Sequence, residues 1–208
     1  MSEVYDEDYF LRGKETGKSL YSDYRWMPEL TVPMVGSIVN HLGVVKGETV
    51  LDFGCARGYS VKALRGLGYD AYGVDASKWA VENADPEIKK YCSNILDPLP
   101  LVDWVIAKDV LEHIPYVGYT ITKLMVCASR GVLAVVPLSP FDSSPYVVEE
   151  YELDKTHVQR LTLSSWANMF IRYGWSVEVA YRLPGVKDNY AKYAQGNGFI
   201  TCRRIRSN

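Results

Sequence analysis

The sequence predicts an α/β protein built on a doubly wound, mostly parallel sheet. Two observations carry that reading. Short apolar runs end in an acid or a turn, as in Val50-Leu51-Asp52 and Ala71-Tyr72-Gly73-Val74-Asp75, and Val132–Val136 is apolar without a break. Between these runs lie segments with apolar residues at helical spacing. A strand buried on both faces reads as a continuous apolar run, and strands alternating with helices join into a parallel sheet through right-handed crossovers.

Taken in order, residues 1–27 lack clean periodicity but carry Tyr5, Tyr9, Phe10, Tyr21, Tyr24 and Trp26 among charges and two glycines. Such a segment makes no core alone and suits a cap laid over something else. Residues 29–42 place Leu30, Met34, Val35, Ile38, Val39 and Leu42 on one helical stripe, with Pro28 and Pro33 at its start and Gly43 at its end. After the strand at 50–53, Val61, Leu64 and Leu67 mark a helix; after the strand at 71–75, Ser77 caps a short helix holding Trp79 and Val81. Pro115 opens a further helix with Val117, Ile121, Leu124, Met125 and Ala128 inward, Gly131 lying beyond its end. Residues 138–160, rich in Pro, Ser, Tyr and acids, read as a long loop beside an acceptor site. A helix at 163–173 ends at Gly174, and two strands near 175–183 and 197–205 complete a single domain over 1–208.

The most informative stretch is Val50-Leu51-Asp52-Phe53-Gly54-Cys55-Ala56-Arg57-Gly58. It is a strand ending in an acid, then a glycine turn that opens a helix, where backbone can approach a ligand closely. Asp75, twenty-one residues beyond Gly54, stands where an acid can hold the two hydroxyls of a ribose. A dinucleotide fingerprint needs its last glycine five residues after the first; here Gly58 arrives one residue early, which disfavours a nicotinamide oxidoreductase. Asp52 faces a ligand ammonium better than a pyrophosphate, and Arg57 points either to phosphate or to solvent.

These residues resemble the first motif of class I S-adenosylmethionine-dependent methyltransferases of the small-molecule type, an acid followed by G-x-G-x-G. Ala56 replaces the middle glycine and fits if its φ stays negative. The resemblance continues through Asp75-Ala76-Ser77, through Ser93-Asn94-Ile95 with Asn94 in place of the usual acid, and through Asp103–Ile114, which includes Asp109-Val110-Leu111-Glu112-His113-Ile114. It covers residues 48–136 well. It implies a Rossmann-like sheet of about seven strands with an antiparallel last strand, and S-adenosyl-L-methionine as cofactor. Asp52 with the Gly54-Cys55-Ala56-Gly58 backbone would hold the methionine part, Asp75 and Ala76 the ribose, and Asn94 and Ile95 the adenine; Lys108 and Asp109 border the same edge. Tyr21, Tyr24 and Arg25 are candidates to close over the amino acid end, or else pack on the sheet edge.

Methyl transfer asks the protein to align a nucleophile and, for a hydroxyl, to take its proton. His113 follows the fourth strand and His157 stands in Asp154-Lys155-Thr156-His157, a sequence similar to one that borders the acceptor pocket of small-molecule methyltransferases. Both are candidate general bases, with Asp109 and Glu112 behind them, while His41 reads as a helix-end residue. The histidines appear isolated in sequence, so no metal ligand set is expected. Formal net charge is −2, with no basic run before Arg203-Arg204-Ile205-Arg206, which disfavours a broad nucleic-acid surface; the small-molecule acceptor is what the resemblance implies. Cys55, Cys92, Cys127 and Cys202 lie far apart and read as reduced thiols. With no membrane-length apolar run and an acidic Met1–Asp8 start unlike a signal peptide, a cytoplasmic location is expected. The acceptor expected is a small polar metabolite, a sugar among the options, methylated on oxygen or nitrogen; protein or nucleic acid methylation and an idle cofactor-binding scaffold are the alternatives.

Overall fold

The computed structural model describes residues 4–95 and 98–205. Met1–Glu3 of the acidic start and Arg206 of the basic run lie outside the described residues. Seven strands form one sheet in the order β3-β2-β1-β4-β5-β7-β6. They are β1 (Thr49–Phe53), β2 (Asp70–Asp75), β3 (Cys92–Asn94), β4 (Val102–Lys108), β5 (Ala128–Pro137), β6 (Ser176–Ala180) and β7 (Asn197–Arg203). Pairings from β3 across to β5 are parallel, and β7 runs antiparallel to both β5 and β6. This is the Rossmann-like arrangement expected, last strand included.

Helices cover both faces. On one side α3 (Pro28–Leu42) and α4 (Tyr59–Gly66) bury Val35, Ile38, Val39, Val61 and Leu64 against Val50, Ile106 and Val135. On the other, α6 (Val117–Cys127) and α7 (Leu163–Ile171) set Ile121, Leu124, Trp166 and Phe170 against Leu51, Val105 and Val132. The short α5 (Lys78–Glu82) is capped by Ser77, whose Oγ accepts the Ala80 N–H at 3.0 Å. Near the N-terminus stand two more short helices, α1 (Glu7–Leu11) and α2 (Gly13–Thr16).

Boundaries shift where tertiary contacts compete with local pattern. The helix expected from Pro115 begins at Val117, because Leu111–His113 forms a 3-10 turn and the carbonyls of Glu112 and Ile114 are taken by Val158, Gln159 and the Gln159 amide. Gly131 lies past that helix as expected, but Ala128, expected within it, opens β5; a Cβ on Gly131 would come within 2.5 Å of the Trp104 ring and 2.6 Å of the Cys202 carbonyl. All four cysteines are free and buried. Among the described residues no helix is long and apolar enough to cross a membrane.

Candidate active site

In an open α/β sheet, ligands sit beyond the carboxyl ends of the strands. A cavity of about 250 Å³ opens there, lined by Phe53, Gly54 and Ala56 after β1, Asp75 and Ala76 after β2, Ile95 and Leu99, and Asp109, Val110, His113 and Ile114 after β4. Thr120 and Lys123 of α6 complete one wall. Tyr5, Tyr9, Phe10 and Tyr21 of the N-terminal segment form another.

The glycine turn is built around Asp75. One carboxylate oxygen accepts the Ala56 N–H at 2.7 Å and the other accepts the Ser77 N–H at 2.7 Å. Turning its N–H toward Asp75 puts Ala56 at φ 49°, in the left-handed region. This corrects the expectation of a negative φ, and explains why a glycine suits the middle position: alanine there costs on the order of 1 kcal/mol. Gly54, at φ 85°, admits no side chain, since a Cβ would stand 2.5 Å from Val110 Cγ2. Arg57 meets neither of its expectations. Its Nε donates to the Asn83 carbonyl at 2.9 Å and its guanidinium to the Tyr24 carbonyl at 3.1 Å, tying the N-terminal segment to the loop.

Asp52 is buried at the end of β1, and burial pushes its carboxyl up to about 7, against the pull of Lys108. A ligand ammonium beside it would reverse that shift. Cys55 and Gly58 support the loop from behind: Cys55 Sγ would lie 2.6 Å from a Cβ on Gly73, and a Cβ on Gly58 would strike Ile88 and Cys92. Asn94 is exposed, its amide donating to the Asp75 carbonyl at 3.4 Å, while Ile95 reaches the cavity wall. Tyr21 lines the cavity; Arg25 is exposed, pairs with Asp23, and is not brought to it.

The N-terminal segment covers the opening with rings. Phe10 stacks on Trp79 at 5.6 Å and Tyr24 on Tyr59 at 5.3 Å, while Tyr5 meets His113 edge-on at 5.9 Å. Ser77 Oγ donates to the Tyr5 carbonyl at 2.5 Å, anchoring the segment to the end of β2.

On the opposite side the site is assembled from distant segments. Asp109 adopts φ 53° and lies between Lys108 and Lys187, the latter at 2.6 Å from the loop between β6 and β7. Burial works to raise its carboxyl, but the two ammonium groups hold it well below the usual carboxylate range. Strain at such a position is characteristic of sites that over-determine their geometry. Lys187 carries no sequence signal beyond membership of a lysine-containing loop, so sequence reasoning missed it.

His113 and His157 are not isolated, contrary to the expectation. Their rings lie 4.6 Å apart, and with Glu112 they offer ligand atoms all within 4.8 Å of one another, the grouping among the described residues able to hold a metal ion. Val158 and Gln159 N–H groups bond the Glu112 carbonyl at 2.8 and 3.0 Å, and this zipper carries His157 to His113. Glu112 is buried with Oε2 unpartnered; burial and the Asp109 charge push its carboxyl up to about 8. Burial and the neighbouring His157 push His113 down to about 4, so its imidazole is neutral at physiological pH. His113 lines the cavity, whereas His157 is buried beside it without lining the cavity, its Nδ1 unpartnered. His41 lies elsewhere, bonded to Thr201 at 2.8 Å.

Comparison with known proteins places these features in a family. A family model described as a methyltransferase domain matches residues 35–179. The ubiquinone biosynthesis O-methyltransferase of Bradyrhizobium sp. (strain ORS 278) is 31% identical over 104 residues, 46% of this chain and 41% of that protein, so the chain matches about two-fifths of its length. The S-adenosylmethionine-dependent methyltransferase structure from Archaeoglobus fulgidus superposes with a TM-score of 0.62 at 14% identity, covering 85% of this chain and 97% of that one. The structure of the 4+2 cyclase SpnF gives 0.69 at 12% identity, covering 99% and 96%. At such identities the two structures report the fold alone.

Proposed function

This chain belongs to the methyltransferase domain family, with S-adenosylmethionine as its cofactor, and from that premise we propose that it methylates an oxygen or nitrogen of a small polar metabolite. The observation that carries this reading is a single cavity whose one end is the Asp75-bound glycine turn and whose other end holds a neutral histidine. The residues present fit the cofactor. Backbone at Gly54 is bare, Asp52 and Asp75 supply carboxylates at adjacent strand ends, and aromatic rings face the space where a sulfonium is favoured. In this reading Asp52 and the Gly54–Gly58 backbone hold the methionine part, Asp75 and Ala76 the ribose, and Asn94 and Ile95 the adenine. Tyr21 closes the open side. When bound, S-adenosylmethionine supplies an already activated methyl group.

What remains for the chain is alignment and proton handling. His113 presents a neutral imidazole to the cavity and takes the proton of a hydroxyl acceptor as that oxygen is alkylated. Tyr5, Tyr9, Leu99 and Ile114 exclude water around it, and a sugar face or an aromatic ring packs well on such a wall. The O-methyltransferase named above supports oxygen as the methylated atom. The deciding experiment is calorimetric titration of the protein and of Asp75→Ala with S-adenosylhomocysteine, with NADH as control. Micromolar binding to the wild type alone is expected. Asp75→Ala should raise the Kd roughly tenfold to a hundredfold, about 1.4–2.8 kcal/mol. NADH binding would sink the assignment, and binding of neither would leave the idle-scaffold alternative.

A further inference from the structure

One chain of hydrogen bonds runs from the N-terminal segment to the cavity through Asp154 and Thr156, which the reading above does not use. Tyr9 Oη donates to Asp154 Oδ2 at 2.8 Å. The other oxygen, Asp154 Oδ1, accepts both the Thr156 N–H at 2.9 Å and the Thr156 hydroxyl at 2.5 Å. Thr156 Oγ1 lies 2.7 Å from His113 Nδ1. A hydroxyl has one proton, and here it is committed to the carboxylate. The bond to His113 can therefore only run the other way, from Nδ1–H to Thr156 Oγ1. The neutral imidazole then carries its lone pair on Nε2.

We propose that Asp154 and Thr156 are positioning residues that fix His113 in the Nδ1–H tautomer, with Tyr9 as their outer anchor, so that the seating of the N-terminal segment and the preparation of the base are one event. The inference deepens the proposed function, since it assigns how the base of that reading is held. The wrong tautomer would present an N–H to the acceptor, which cannot take a proton. Asp154 is buried, so its carboxylate has little water to compete with Tyr9 and Thr156 for these bonds. The Asp-x-Thr-His spacing has a structural reason: Asp154 bends back onto the N–H and hydroxyl two residues on, which turns Thr156 toward His113. Tyr9 comes from 145 residues away in sequence, so its bond to Asp154 exists only when the segment is seated.

The test is the tautomeric state of His113, read by long-range ¹H–¹⁵N correlation on the full chain labelled at histidine nitrogens, at pH 7, with His113→Gln used for assignment. The wild type should show His113 as a single Nδ1–H tautomer. Thr156→Val should convert it to a tautomer mixture or to Nε2–H, Thr156→Ser should restore the wild-type pattern, and Tyr9→Phe should shift it partway. A wild-type His113 protonated on Nε2 overturns the proposal outright. So does a folded Thr156→Val, judged by its melting transition, that leaves the tautomer unchanged. If Thr156→Val fails to fold, Thr156→Ala is read in its place, and the wild-type spectrum still decides. Binding of S-adenosylhomocysteine to the wild type is measured on the same sample. Its loss would defeat the cofactor reading while leaving the tautomer result standing, so the two failures are distinguishable.

Discussion

The two ends of the cavity are built in opposite ways. At the end proposed to hold the cofactor, Asp52, Gly54, Ala56 and Asp75 lie within 24 residues, on two adjacent strands and the turn after the first, and β1 and β2 pair in register from Thr49↔Asp70 to Phe53↔Val74. At the end proposed to hold the acceptor, Tyr9, Glu112, His113, Thr156 and Lys187 converge from four regions of the chain. The first end is held by a backbone turn locked onto one carboxylate. The second depends on side-chain bonds among buried polar groups, two of which, Glu112 Oε2 and His157 Nδ1, are left without a partner. Binding of a shared cofactor can be written locally, whereas an acceptor site must be assembled, and its loops are free to differ without touching the turn.

That contrast can be broken most sharply at the histidines. If the acceptor end does the proton chemistry, His113→Gln should lower kcat by about 10²–10⁴-fold on an acceptor found by screening, while the Kd for S-adenosylhomocysteine stays within a few-fold. His157→Gln should cost less, because His157 does not line the cavity. Equal losses would mean the two rings act as a unit; an unchanged kcat for His113→Gln would remove the base from the mechanism.

The cofactor end has its own pH signature. Burial raises the Asp52 carboxyl to about 7 in the free protein, so below that pH it is protonated and must lose a proton before it can face an ammonium. Affinity for S-adenosylhomocysteine should therefore be full above pH 8 and fall about tenfold by pH 6. The Kd measured at several pH values checks this, and Asp52→Asn should flatten the profile. A wild-type profile flat from pH 6 to 8 would take Asp52 out of the binding site.

The smallest effect concerns the turn alone. Ala56→Gly should relieve a left-handed alanine and stabilise the protein by up to about 1 kcal/mol, a Tm rise of roughly 2–4 °C. Glycine's greater freedom in the unfolded chain works against that gain. A fall in Tm would show that this unfolded-chain freedom outweighs the relief of the backbone angle, since glycine keeps the N–H that bonds Asp75.

The runs ending in Asp52 and Asp75 marked β1 and β2, the family resemblance marked β3 and β4, and the early Gly58 separated this turn from a dinucleotide loop. The motif after β4 located His113, and the Asp-x-Thr-His sequence located the neighbourhood of His157. Less legible were the elements whose ends are decided by partners. Pro115 stays outside its helix because the Glu112 and Ile114 carbonyls are claimed by residues 158 and 159, and Arg57 turns to carbonyls on two other segments. Nothing in the local pattern around Lys187 marks its ion pair with Asp109.

By itself, then, the sequence determined the layer architecture, the strand-end acids and the glycine turn, because periodicity and turn chemistry act over a few neighbouring residues. Only the tertiary structure decided that His113 and His157 are neighbours, that Ala56 is left-handed, that Arg25 faces solvent, and that Tyr9 reaches Asp154. Each of those depends on which distant group supplies the hydrogen bond or removes the water, and that choice is made when the chain folds.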